Sequence, residues 1–452
     1  MRIPVRPPDL SIILEGAVAA GPGERLFDAV FGGEIGPSPD GKYRHWDNFR
    51  HLTPAPGLTA EQTWAAVKLA RRQLFRPLPF LDIGQRPFQF GLPPAAQEML
   101  HRVDRDASGI LGAPEPVTNP ETQATYLLKS IIEEAIKSSQ LEGASTTRRV
   151  AKDMLISGRE PRGRSERMIV NNYNALQYVR HHKSEPIVAS RVLELQTILT
   201  GGTLDEPDAA GRFRRDDENI VVSDEMGELL HRPPGASELP GRLARLCDFA
   251  NGGGTTEFMH PVVRAILVHF ALAYDHPFVD GNGRTARALF YWVMAREGYW
   301  LCEYVSISRI LKKARAQYAR SFLYTETDDN DATYFVLYQL RVLTRAIADL
   351  HAYLARKAGE MRDVDDLVHR SRTIHATLNA RQLDLLSHAL KHPRGEYTIE
   401  SHRRAHSIAY ATSRSDLGEL AVNGLLTQRK RGRAFVFIAP NDLRARLTSV
   451  SS

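Results

Sequence analysis

Cysteine is nearly absent, with Cys247 and Cys302 the only two in 452 residues. Two cysteines cannot supply a disulfide framework or a cysteine-rich zinc site, and a reducing cytoplasm is the expected compartment. Long apolar runs are missing as well. The N-terminal run Ile12-Ile13-Leu14 meets Glu15 at once, which leaves no stretch that spans a bilayer and no apolar region or cleavage site of a secretory signal. No membrane partner is therefore expected. Internal repeats and low-complexity tracts are absent too. Charge of one sign is in modest excess, +6 with a pI near 9.2; this permits a polyanionic partner without arguing for one. What is there, 42% hydrophobic and 25% charged residues, is an ordinary globular composition at a length that suits two or three domains.

The first fifty or so residues are rich in Gly and Pro and read as extended or loop structure. A helix starts at Thr59, where Gln62 gives capping-box spacing, and carries Trp64, Val67, Leu69 and Leu74 up to Pro77. The chain then reads as loop to Pro94, with Phe80, Phe88 and Phe90 packed down, and as helix from Ala95 to Asp104. Apolar residues recurring at three and four predict helices near 122–139, 145–157, 164–183, 188–200, 238–251, 260–274, 283–298, 306–325 and 330–357. One interval departs from that pattern: residues 211–234 hold Ile220-Val221-Val222 and Glu228-Leu229-Leu230 around Asp224 and Gly227, which predicts a β-hairpin between helices. Beyond about residue 377 three short helices are expected: one through Leu383–Leu390, one over Thr398–Ala409 and one over Thr412–Val422. A strand pair flanking the basic tip Arg429-Lys430-Arg431-Gly432-Arg433 follows, the order of a winged helix-turn-helix.

The chemistry concentrates in His276-Pro277-Phe278-Val279-Asp280-Gly281-Asn282-Gly283-Arg284-Thr285-Ala286-Arg287. Gly281, Asn282 and Gly283 at a helix start offer open backbone N–H groups to an anion. Arg284 and Arg287, three apart, share a helix face and can grip phosphate with paired donors. Asp280 is a hard carboxylate suited to a Mg²⁺ that bridges phosphates. His276 can take a proton from a hydroxyl near neutral pH. Phe278 is read as a plug that ties the loop to the core. Each residue alone has an ordinary reading as turn or loop; base, carboxylate, anion cradle and two arginines together point to phosphate-ester chemistry. Two rival phosphate motifs fail. Gly281-x-Gly283-x-x-Ala286 follows a helix rather than a strand, against the dinucleotide fold. Gly36 to Lys42 has P-loop spacing, but Tyr43 replaces the metal-binding hydroxyl, and Pro37 and Pro39 lack N–H donors.

The string His276–Arg287 resembles the signature of the Fic family of AMP transferases at each defining position. The preceding helix resembles the family as well, including His260 and His269, both read as structural. The hairpin leading to His231-Arg232-Pro233-Pro234 resembles the family's flap, which aligns a target segment by strand addition. The resemblance covers roughly residues 122–350, with 40–121 a looser extension. It implies ATP as substrate, with Mg²⁺, and His276 as the base that activates a Ser, Thr or Tyr hydroxyl on a target protein. By the same resemblance Asp280 positions the metal, Gly281, Asn282 and Gly283 donate to the α- and β-phosphates, Arg284 holds the β-phosphate and Arg287 reaches the γ-phosphate. Gly283 replaces the lysine of members that phosphorylate instead. Many relatives carry two adjacent tyrosines near adenine; here Tyr318 is followed by Ala319, so the nucleotide base is less well defined. Ser138-Ser139-Gln140-Leu141-Glu142-Gly143 resembles the family's inhibitory helix motif, with Ser138 and Glu142 as its members. A helix C-terminus capped by Gly143 would give the same string.

From Asn379 to Pro440 ten Lys/Arg face five Asp/Glu. Arg404, Arg414, Arg429, Lys430, Arg431 and Arg433 are placed for phosphate contacts, and Tyr410, Thr412, Ser413 and Ser415 for base edges or phosphates. Protein docking or dimerisation is the competing use of such a module. The expected architecture is thus mainly α: an N-terminal extension (1–121), a Fic-type helical core with an inserted hairpin flap and an inhibitory helix near 127–143 (122–376), and a winged helix-turn-helix (377–452). The expected activity is protein adenylylation, self-modification included, restrained by Glu142. Removal of AMP, with Glu142 orienting a water, is one alternative. A DNA-binding transcription regulator with a nucleotide-sensing core is the other, and a homodimer is expected only by resemblance.

Overall fold

A computed structural model describes residues 2–20, 23–107, 120–224, 226–254, 257–370, 378–431 and 434–448. The N-terminal part is more helical than its Gly and Pro content suggests. Helices α1 (Leu10–Ala20), α2 (Gly23–Phe31), α3 (Trp46–Phe49) and α4 (Ala60–Arg72) bury Leu26, Trp46, Phe49 and Trp64 in one small core. Gly and Pro sit at the joints, so they punctuate helices rather than exclude them. Thr59 and Gln62 cap α4 reciprocally. The expected loop before Pro94 is a hairpin of β1 (Arg76–Leu81) and β2 (Pro87–Phe90). Its alternate residues Leu78, Phe80, Phe88 and Phe90 are buried, and Phe80 and Phe88 pack edge-on against Phe249 and Phe270. Strand alternation had been masked by the prolines, which sit at edge positions. These residues and α5 (Pro94–Ala107) thereby join the large hydrophobic core that holds Phe249 and Phe270, although the sequence reading assigns them to the N-terminal extension (1–121).

The central bundle comprises α6 (Pro120–Leu141), α7 (Arg148–Ser157), α8 (Arg164–His181), α9 (Ala189–Thr200), α10 (Leu239–Ala250), α11 (Pro261–Asp275), α12 (Asn282–Arg296), α13 (Ile307–Lys313), α14 (Arg315–Thr327) and α15 (Thr333–Arg370). The helix expected over 306–325 is two, broken at Ala314 (φ −129°, ψ 42°); α15 runs longer than expected. α11 and α12 form the centre: Val262, Ile266, Val268 and Phe270 on one and Leu289, Trp292 and Val293 on the other are fully buried. Such wholly apolar burial is the mark of a core helix rather than a surface one. The hairpin between α9 and α10 is shorter than the expected 211–234: β3 (Val222–Ser223) pairs antiparallel with β4 (Leu229–His231). Charged residues from Arg212 to Glu218 instead form a tight turn, locked by the Arg212–Glu218 ion pair at 2.6 Å.

The C-terminal part contains α16 (Ala380–Lys391), β5 (Glu396–Thr398), α17 (Ile399–His406), α18 (Tyr410–Val422), β6 (Thr427–Arg431), β7 (Ala434–Ile438) and α19 (Leu443–Thr448), with strand order β5-β7-β6. β5 was not legible because only three residues form it. Arg429, Lys430 and Arg431 lie within β6 rather than at a loop tip; Gly432 and Arg433 fall outside the described residues. Among the described residues no helix is long and apolar enough to cross a membrane.

Candidate active site

α11 ends because His276 adopts the left-handed conformation (φ 45°, ψ 55°), uncommon for a residue with a side chain. That turn swings the chain into the loop and points back to Ala273, whose carbonyl lies 3.3 Å from His276 Nδ1. A carbonyl only accepts, so Nδ1 carries the proton in this bond and Nε2 keeps its lone pair. Burial pulls the imidazole pKa down to about 4, against the opposing bond to Ala273 and the charge of Glu142. The ring is uncharged at neutral pH, as a proton acceptor must be.

Three residues outside the signature hold this turn. Arg214, 6% exposed, donates from Nε to the His276 carbonyl at 2.9 Å, from its backbone N–H to the Pro277 carbonyl at 2.9 Å, and from Nη2 to the Pro234 carbonyl. His231, at the end of β4, reaches the Tyr274 carbonyl at 2.8 Å with Nε2 and Glu326 at 2.8 Å with Nδ1. Both partners are acceptors; burial opposes its charge, but Glu326 and the carbonyl outweigh it and raise its pKa. Gln196 bridges the Asp280 carbonyl and the Gly211 N–H. The string Gly211-Arg212-Phe213-Arg214 reads in sequence only as the start of a hairpin; the structure buries Arg214 and stacks the half-buried Phe213 on Phe278 at 6.4 Å.

Phe278 is fully buried. Asn282 staples the loop across it: its Oδ1 accepts from the Phe278 N–H at 2.9 Å and its Nδ2 donates to the Phe278 carbonyl at 2.7 Å. The Asn282 side chain is thus spent, and only its backbone N–H is left for a phosphate. Gly281 takes φ 85°, and a Cβ there would stand 2.9 Å from Thr200 Cγ2. At Gly283 a Cβ would stand 2.2 Å from Glu142 Oε1 and 3.0 Å from Arg287 Nη1. The space over Gly283 is therefore the mouth shared by the loop, Arg287 and Glu142.

Both arginines are buried, Arg284 at 0% and Arg287 at 1% exposure. Arg284 donates to the Leu199 carbonyl at 2.7 Å and lies 3.3 Å from Asp280. Arg287 holds Ser138 through its Oγ (2.8 Å) and carbonyl (3.2 Å), and its Nη2 lies 2.8 Å from Glu142 Oε1. Burial opposes its charge, but Glu142 first among its neighbours raises its pKa. Among the described residues Arg284 Nε and Arg287 Nη1 are buried donors that complete no hydrogen bond, although the Tyr318 hydroxyl lies near the Arg287 guanidinium. Such donors are rare in folded proteins and ask for an acceptor. Glu142 sits one residue beyond α6, where Gly143 (φ 95°) turns the chain away. Tyr318 lies behind Arg287, its hydroxyl 2.8 Å from Nε2 of the buried His269. His269 is pulled to about 3 by burial and by Arg287. His260 caps α11 by accepting from the Val262 N–H.

Asp280 is the carboxylate the loop itself contributes, accepting from Gly281 N–H at 2.5 Å. No group of three His, Cys, Asp or Glu among the described residues could enclose a metal. Mg²⁺ commonly takes one or two carboxylates and completes its shell with substrate phosphates and water. The single Asp280 fits an ion that arrives with a nucleotide.

The C-terminal module uses its basic residues unevenly. Arg404 pairs with Glu400 and donates to the Ile156 carbonyl at 3.2 Å, so it faces α7 and not a nucleic acid. Ser413 is buried and donates to the Ile399 carbonyl; Ser415 bonds Glu419. Arg431 is paired with Glu396 at 2.6 Å. Tyr410, Arg414, Arg429 and Lys430 remain exposed.

Residues 186–294 match the family model described as Fic/DOC family. The chain is 29% identical over 209 residues to a protein adenylyltransferase Fic of Nematostella vectensis, covering 45% of this chain and 46% of the relative. It is 35% identical over 113 residues to a protein of the same name from Drosophila willistoni, covering 25% and 20%. The chain thus spans less than half the length of these curated relatives. Among solved structures it is similar to a Fic family protein from Desulfovibrio desulfuricans G20, at 18% identity and a TM-score of 0.49 over 77% of this chain and 96% of that one. It is also similar to Fic-1 (residues 134–508) from C. elegans, at 23% identity and a TM-score of 0.42 over 57% and 73%. The chain carries a Fic domain and is homologous to Fic protein adenylyltransferases.

Proposed function

We propose that this chain transfers the AMP part of ATP to a Ser, Thr or Tyr hydroxyl of a target protein, itself included, and that Glu142 restrains it. The observation that carries the reading is the joint placement of two buried guanidiniums, Arg284 and Arg287, each with a donor that completes no hydrogen bond among the described residues, behind a helix N-terminus that opens beside an uncharged histidine. A phosphate chain laid over Gly281 and Gly283 meets backbone N–H groups at the start of α12 and satisfies both guanidiniums.

His276 Nε2 accepts the proton of the target hydroxyl. The hydroxyl oxygen bonds the α-phosphorus, the bond from that phosphorus to the bridging oxygen breaks, and pyrophosphate leaves with its electron pair. Asp280 would hold Mg²⁺ delivered with the nucleotide, which when bound neutralises phosphate charge. Arg214 and His231 hold the turn that aims Nε2, and both reach it from the segment that contains the hairpin. A target strand added along β3 or β4 would bring its hydroxyl to the same turn. Glu142 occupies the guanidinium that the terminal phosphate wants, so the resting arrangement binds nucleotide with its α-phosphate misaligned.

We read the C-terminal module as a winged helix-turn-helix with two faces. Arg404 on α7 and His406 with Thr125 Oγ1 at 2.7 Å support docking of α17 against the core. Exposed Arg414, Arg429 and Lys430 support contact with nucleic-acid phosphates. The test of the transferase reading is incubation of Glu142→Gly protein with α-labelled ATP, Mg²⁺ and host lysate, followed by mass spectrometry. AMP-modified Ser, Thr or Tyr is the expected product; label that stays in free nucleotide would overturn the reading.

A further inference from the structure

A second concentration of cationic side chains lies beside α14, where the Tyr318 ring stacks 6.3 Å from Tyr338. The cleft between α14 and α15 encloses about 380 Å³, within the range of small-molecule sites. Gln317, Ser321 and Tyr324, at helical spacing, give it one wall, and Tyr338 and Arg341 the other. Arg320, Arg341 and Arg345 line it, all three are exposed, and none has an ion pair or hydrogen bond among the described residues. No carboxylate lines the cleft. Arginines nearby are not left this way: Arg309 on α13 pairs with Asp349 on α15 at 2.7 Å.

The floor is aromatic and fixed. Tyr43 gives its hydroxyl proton to Asp331 at 2.6 Å and Tyr334 to Asp328 at 2.6 Å, and the Arg71 guanidinium lies 3.6 Å over the Tyr43 ring. Tyr324 is stacked on His45 at 4.5 Å. These rings are held by bonds at their far ends and can offer carbon faces to a planar group. Three guanidiniums on one cleft with no carboxylate among its lining residues make a locally positive surface that favours an anion.

We propose that this cleft is a second ligand site, which binds a nucleoside phosphate with its phosphates on Arg320, Arg341 and Arg345 and its base against the tyrosines. Guanidinium groups suit phosphate through paired donors, and flat aromatic walls suit a base. The enclosed volume fits one small molecule better than an extended acidic peptide, which would need a longer groove. No signature-loop residue lines the cleft, and the proposal rests on the three arginines rather than on the transferase reading.

The test is equilibrium binding of ADP, which cannot donate AMP with loss of pyrophosphate, to the full chain. The loop double variant Arg284→Ala/Arg287→Ala isolates the cleft. Adding Arg320→Gln, Arg341→Gln and Arg345→Gln should then lower the remaining ADP affinity by about tenfold or more, since each lost guanidinium removes a charge-assisted bond. The three side chains are exposed, and an unchanged circular-dichroism melt verifies folding. Inorganic pyrophosphate should bind the same site more weakly than ADP. Equal binding of ADP with and without the three arginines would overturn the proposal. Pyrophosphate binding as tightly as ADP would overturn the base-binding part, and displacement of ADP by poly-glutamate at lower concentration would overturn it in favour of peptide docking.

Discussion

Arginine is handled differently at the signature loop and in the C-terminal module. At the loop, Arg284 and Arg287 are buried, held on one side by Leu199 and Ser138, and left with one free donor each. In the C-terminal module, Arg404 and Arg431 are closed into pairs, while Arg414 and Arg429 stand in solvent. A buried guanidinium costs several kcal/mol of desolvation; Arg50 Nε and Arg264 Nε also lack a hydrogen bond among the described residues, so it is the adjoining helix N-terminus and His276 that set the loop pair apart. An exposed one costs little and signifies little alone. The loop therefore states its chemistry in its geometry, whereas the C-terminal module states only which of its cations are free.

Removing the base gives the largest break. His276→Ala should lower AMP transfer by about 10²–10⁴-fold, the usual range for a general base, with ADP binding retained; transfer at the parental rate would dissolve the contrast. Glu142→Gly should act in the other direction. Misplacement of about 1 Å can cost about 10²-fold, so freeing Arg287 should raise transfer by up to that order. Arg287→Ala should not activate, because it also removes the phosphate grip, and the double variant should resemble it. A Glu142→Gly rate at or below the parental one, with ATP saturating, would show that the 2.8 Å Glu142–Arg287 pair is structural.

Arg214 gives a smaller and more diagnostic effect, because it touches the backbone of the base and not the reacting atoms. Arg214→Lys keeps a charge but loses the fork that spans the His276 and Pro234 carbonyls. A fall in kcat of about tenfold is expected, consistent with a sub-ångström displacement of Nε2, with KM for ATP little changed. A change in KM alone would place Arg214 in nucleotide binding instead.

Acid should act on both regions. The pKa values of His45 and His276 are lowered to about 4 and those of His269 and His406 to about 3, in each case by burial first. Unfolded histidine titrates near 6.5. Between these values the unfolded chain binds more protons, so stability rises with pH across the window and is lost as pH falls from about 6.5 towards 4. His231, raised, works in the opposite sense. The urea midpoint should therefore drop between pH 7 and pH 5; a flat profile would mean these rings are solvated.

The loop was legible because its histidine, carboxylate, glycines and arginines at i and i+3 stand within twelve residues; what denies a Cβ to Gly281 and Gly283 is distant in sequence, Thr200 and Glu142. Helix positions were legible for the same reason, since period and caps are local. The β1–β2 hairpin was not, because its prolines hide an alternation that only tertiary burial of Phe80 and Phe88 reveals. Arg214 was missed because its carbonyl partners come from Pro234 and from the turn at Asp275, His276 and Pro277, all distant in sequence. In the C-terminal part, the count of basic residues was correct and their availability was not. Arg404 and Ser413 are consumed by neighbours that are distant in sequence or on another helix.

That correction supplies the smallest effect and the finest division within the module. If exposed β6 and α18 meet phosphates, retention of genomic fragments should weaken steeply with salt, as counterion release requires. Arg429→Ala and Lys430→Ala should each reduce the salt slope by about one and weaken binding to all sequences alike, because strand-borne cations of this kind meet backbone rather than bases. Arg404→Gln should leave the slope unchanged, since that guanidinium already faces Glu400 and the end of α7. Its effect should appear in stability, as an earlier loss of the C-terminal module on heating. A slope that falls with Arg404→Gln but not with Lys430→Ala would reverse the assignment of the two faces. The absence of retention at low salt would leave α17 docking as the module's one role, and both sets of variants would then be read from the melt alone.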